Sequence, residues 1–92
     1  MKTIIIDGNA FSDLTGFYDE IERKFMKVDW RMGRNLNAFN DVMRGGFVIT
    51  DYEEPIEIIW KDSPKSKKDL GERFDDIIEI IKEHEHISLE LQ

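Results

Sequence analysis

The chain has 92 residues, with 13 Lys or Arg against 20 Asp or Glu and a formal charge of -7. That is enough for one modest core but not two, and its field repels phosphate backbones, which disfavours direct nucleic-acid binding. Cysteine is absent, which removes a disulfide framework, a thiolate zinc site and a thiol nucleophile and fits a reducing compartment.

The amino-terminal apolar run, Ile4-Ile5-Ile6, is far too short for a signal-peptide core or a membrane span, so a soluble, cytoplasmic protein is expected. With Thr3 it forms a continuous β-branched segment, the pattern of a strand covered on both faces. A central strand ending at the turn Asp7-Gly8-Asn9 is predicted. Ser12 is placed to cap a helix in which Leu14, Phe17, Tyr18, Ile21 and Phe25 recur every three or four residues, weakened at Gly16. The stretch from Met26 to Met32 has poor periodicity and reads as a loop feeding a second helix capped by Asn35. In that helix Leu36, Phe39, Val42 and Met43 gather on one side with Ala38, and Asn37, Asn40, Asp41 and Arg44 on the other.

Gly45-Gly46 stops the second helix, Phe47-Val48-Ile49 reads as an extended connector, and Asp51 to Pro55 as a turn. Ile56 to Trp60 predicts the next strand. A short charged helix follows, with Ser63 as cap and Pro64 at its first position, and runs to about Leu70 before Gly71. The last helix sets Phe74, Ile77, Ile78, Ile80 and Ile81 against Asp75, Asp76, Glu79, Lys82 and Glu83. Ile87, Leu89 and Leu91 then alternate with Ser88 and Glu90 as a closing half-buried strand. Helical crossovers between successive strands favour a parallel sheet with right-handed connections. The expectation is a single α/β domain over residues 1–92, a small three-stranded parallel sheet packed with about four helices.

No catalytic constellation accompanies this plan. The histidines, His84 and His86, lie between the last helix and the last strand with no nucleophile in sight. They could also form half of a metal site, but no third ligand is apparent, and His84 suits a helix carboxyl end by its dipole. Gly45-Gly46 lacks the Lys and Ser or Thr of a phosphate loop. Asp75, Asp76, Glu79 and Glu83 share a helical face that Asp41 could approach. Such a cluster can do acid–base work, hold a divalent cation, lie solvated, or steer a basic partner. No catalytic residue, metal or cofactor is expected, and the protein is read as a binder rather than an enzyme, monomeric when free.

The segment Gly33-Arg34-Asn35-Leu36-Asn37-Ala38-Phe39-Asn40-Asp41 resembles the second helix of the barstar family of ribonuclease inhibitors, with support from Pro55 to Trp60 and from the terminal helix and strand. The resemblance implies that this helix and the loop before it plug the active site of a basic, barnase-like ribonuclease in a one-to-one complex. Asp41 matches the family's principal acid, and Glu79 the acidic contact of the last long helix, with Asp76 one turn earlier. Asn37 stands where the prototype has a second acid and Asn40 where it has a tryptophan. Arg31 and Met32 replace two tyrosines, with Trp30 upstream as an aromatic anchor or a core residue. Together with Arg44 on the same polar face, these are the expected partner-binding residues. A different basic partner, bound without nuclease inhibition, is the alternative that Asn37 and Asn40 suggest.

Overall fold

The computed structural model describes residues 2–25, 31–44 and 55–92. The elements run β1 (Lys2–Asp7), α1 (Leu14–Phe25), α2 (Leu36–Arg44), β2 (Ile56–Lys61), α3 (Ser63–Leu70), α4 (Glu72–Lys82) and β3 (Ile87–Leu91). The strands form one parallel sheet in the order β1-β2-β3, with Ile4 opposite Ile58 and Ile58 opposite Leu89. The expected α/β plan of three parallel strands and four helices is therefore what the described residues adopt. Trp30, the Gly45-Gly46 stop, the Phe47 to Ile49 connector and most of the turn expected from Asp51 to Pro55 lie outside the described residues.

The expected place of β1 is overturned. β1 is an edge strand, not the central one, and the centre is β2. Ile4 and Ile6 are buried, whereas Thr3 and Ile5 are exposed, Ile5 at 38%. The other strands alternate in phase. Ile56, Ile58, Trp60 and Ile87 are buried, while Ser88 and Glu90 are exposed on the opposite face. When strands are added in chain order in one direction, right-handed crossovers place every connecting helix on the same side. One sheet face is then the core, and a β-branched run such as Ile4-Ile5-Ile6 does not need cover on both sides.

The core is aromatic at its centre. Trp60 is fully buried, with Phe17 stacked on it at 5.4 Å and 11°, and Phe11 and Phe74 edge-on at 6.3 and 5.1 Å. Its indole N–H donates to the buried Ser66 Oγ at 3.0 Å, so α3 gives the one polar atom of that ring a partner. Two caps fall one residue from their expected positions. Asp13, not Ser12, starts α1, its Oδ1 accepting the Gly16 N–H at 2.8 Å and its carbonyl the Phe17 N–H at 3.0 Å. Asp62, not Ser63, precedes α3, while Ser63 Oγ donates to the Gln92 carbonyl at 2.9 Å. Asn35 caps α2 as expected, accepting the Ala38 N–H at 2.8 Å.

Candidate functional site

Helix α2 is divided as its periodicity requires. Phe39, Val42 and Met43 are 0, 2 and 1% exposed, and Leu36 and Ala38 pack against the core. Asn37, Asp41 and Arg44 are exposed on the other side. A helix whose whole apolar stripe is spent on the core presents its polar side as a rigid ridge, with Asp41 as its carboxylate.

Asn40 was expected on that exposed face, but it is half-buried. Its Oδ1 accepts the His84 Nε2–H at 2.7 Å, and the His86 Nε2–H donates to the Met43 carbonyl at 3.0 Å. The two imidazoles, 5.7 Å apart, thus tie the turn between α4 and β3 to the carboxyl-terminal half of α2. The sequence places both histidines between the last helix and the last strand but does not reveal this pairing, which spans more than forty residues of chain and leaves no periodic trace.

The loop before α2 is held by an acid that the sequence did not single out. Glu22 of α1, 8% exposed, accepts the Met32 N–H at 3.1 Å and contacts Arg31 Nη1 at 3.1 Å and Arg34 Nη1 at 3.2 Å. Burial by itself pushes the Glu22 carboxyl up. The Met32 N–H and the two guanidinium groups outweigh it and hold the pKa below the ordinary 4.5. Arg34 Nη2 also reaches Asp19 Oδ1 at 2.7 Å. Arg31 itself is exposed and can meet a partner. Met32 cannot: its side chain is 7% exposed and belongs to the core cluster, because an unbranched apolar chain beside α1 gains more by packing than by facing water. Its expected place among the contact side chains is therefore withdrawn. Trp30 lies outside the described residues.

Helix α4 packs against α2 and brings the remaining expected residues. Glu79 is exposed; Asp76 is half-buried and its Oδ2 accepts from Arg73 Nη1 at 3.0 Å. The site is thus an acid-bearing ridge on α2, a loop clamped to α1, and an acidic flank on α4. Among the described residues its side chains offer carboxylates and guanidinium groups to a partner.

The family model described as Barstar (barnase inhibitor) matches residues 1–90 of this chain. The Bacillus subtilis (strain 168) protein named "Putative ribonuclease inhibitor YrdF" is 32% identical over 83 residues, covering 90% of this chain and 85% of that protein.

Proposed function

The chain belongs to the barstar family, and from that membership we propose that it binds a basic, barnase-like ribonuclease one-to-one and inhibits it by covering the active site. It performs no chemistry of its own. It protects the cell that makes the nuclease, in the cytoplasm. The observation that carries this reading is the position of Asp41, an exposed carboxylate on a helix immobilised by the burial of Phe39, Val42 and Met43. A nuclease holds RNA phosphate with cations, and a carboxylate presented on a rigid ridge occupies the same cations without being cleaved. Asn37, Arg44 and Arg31 extend the contact around Asp41, and Glu79 and Asp76 extend it onto α4; Trp30, which the family resemblance adds to the contact, lies outside the described residues.

Asp41→Ala tests the assignment. Its far-UV spectrum and melting temperature stay at the parent's values, while affinity for the ribonuclease falls by about 2–5 kcal/mol in isothermal titration, the cost of leaving a buried cation without its partner. An unfolded variant, or unchanged affinity, would remove Asp41 from the site. A second reading is favoured by the bond between Asn40 and His84, which turns inward a residue standing where the family prototype offers a tryptophan. Under it the same face binds a different basic protein, and barnase-type ribonucleases remain active in its presence.

A further inference from the structure

Asn37, Asn40 and Arg44 stand three and four residues apart along α2, so their side chains form one row beside Asp41. Asn37 and Arg44 are exposed. Asn40 differs, because the two ends of its amide have separate surroundings. Oδ1 faces the turn after α4 and takes the His84 Nε2–H at 2.7 Å. Nδ2 has no partner among the described residues, and no buried side-chain nitrogen there goes without one, so the amide N–H groups reach solvent. The turn that supplies the histidine is itself tied down. The Met43 carbonyl can only accept, so His86 carries a proton on Nε2, and its bond of 3.0 Å fixes the turn against the carboxyl-terminal end of α2. A free surface asparagine exchanges its oxygen and nitrogen by a half-turn of the amide. Here that half-turn would set the amide N–H against the His84 N–H, two donors face to face. Asn40 is therefore held with one polarity outward.

We propose that Asn40 is a specificity-determining residue of the contact face, a fixed amide donor that reads an uncharged acceptor oxygen on the partner, and that His84 is its positioning residue. The recognition half rests on the ribonuclease-binding reading. A backbone carbonyl or a side-chain amide oxygen fits this donor better than a carboxylate, because Asp41 is the adjacent residue and repels a second anion. It also fits better than a lysine or arginine, which would set donor against donor. The pattern read by this end of α2 is thus one cation for Asp41 beside one neutral oxygen for Asn40. The net charge of -7 draws in any basic protein. The pair formed by Asn40 and His84 separates those that present an oxygen at this place from those that present a further cation.

The imidazole nitrogens of the ¹⁵N-labelled free protein, followed through their long-range proton couplings, test the pair without any ribonuclease. Neutral His84 shows its proton on Nε2, and the heteronuclear Overhauser effect shows the Asn40 side-chain amide to be ordered. That order persists in His84→Gln, whose amide N–H can reach the same oxygen, and is lost in His84→Leu. A proton on Nδ1 with Nε2 bare, or the same Asn40 order in both variants, would overturn the assignment of His84. Titration against barnase then tests recognition. Asn40→Asp weakens the complex on the order of tenfold, the cost of an acceptor buried against an acceptor, although it adds a negative charge opposite a basic protein. His84→Leu weakens it to a similar degree, and His84→Gln keeps the parent's affinity. A complex tightened or unmoved by Asn40→Asp, yet still weakened by Asp41→Ala, would sink the part given to Asn40 and leave inhibition standing. If barnase does not bind the parent protein, the inhibitor reading falls and takes the recognition half with it, and the imidazole spectrum alone decides the pair.

Discussion

Glu22 shows how one side chain can organise a contact loop it does not belong to. Its carboxylate holds the backbone at Met32 and two arginines that would otherwise repel a basic partner. A carboxyl whose folded pKa lies below its unfolded one adds stability above the unfolded value and loses it as pH falls through the folded value. Glu22→Gln should therefore lower stability by about 1–3 kcal/mol at neutral pH, and the gap from the parent should shrink on acidification below the ordinary 4.5. Thermal melts across that range check it; an equal loss at neutral and acid pH would mean that packing, not charge, is what the glutamate supplies. At this scale the exposure of Asp41 was legible and the part played by Glu22 was not. The first follows from helical phase alone, whereas α1's amphipathic pattern marks position 22 only as a charged residue, and nothing local says that Arg31, Met32 and Arg34 return to it. Met32 was misplaced for the same reason: in a segment without periodicity, burial is decided by tertiary neighbours.

At the level of elements, those with a clear pattern were readable: α2 and α4 from their apolar stripes, β2 from its β-branched and aromatic run, and β3 from alternation. What escaped was position within the sheet. Three consecutive isoleucines fit a strand buried on both faces and equally an edge strand with one isoleucine left outside, and the order of the strands decides between them. The helix starts at Asp13 and Asp62 were missed by one residue: in Ser12-Asp13 either side chain could cap, whereas α3 starts after Asp62 with no side-chain cap bond and Ser63 turns to Gln92 instead. The ends of β1 and β2 also meet closely. The Gly8 N–H donates to the Lys61 carbonyl at 2.9 Å, and a Cβ at position 8 would stand 2.4 Å from that oxygen and 2.8 Å from the Asp62 carbonyl. Gly8→Ala must push two backbones apart, so a loss of about 1–3 kcal/mol is expected in denaturant unfolding; a neutral result would show that the strand ends can separate freely.

The whole molecule carries a charge of -7, with guanidinium groups set into the very loop expected to meet a basic partner. Long-range attraction is screened over about 8 Å at physiological salt. Raising ionic strength should therefore slow association with the ribonuclease far more than it speeds dissociation, as stopped-flow mixing would show; a salt-independent association rate would mean that steering plays no part. The sheet register also bears on how the chain finds its fold. Lys2 pairs with Ile56 and Ile56 with Ile87, so β1 must wait for a loop of 54 residues to close and β3 for one of 31. The shorter closure costs less by roughly 0.5 kcal/mol, and α3 and α4 lie within it as local structure. The carboxyl-terminal half, β2 through β3, is thus expected to condense first and to act as the template on which β1 docks. Ile87→Val should then slow refolding, whereas Ile4→Val, in a strand that arrives late, should chiefly hasten unfolding.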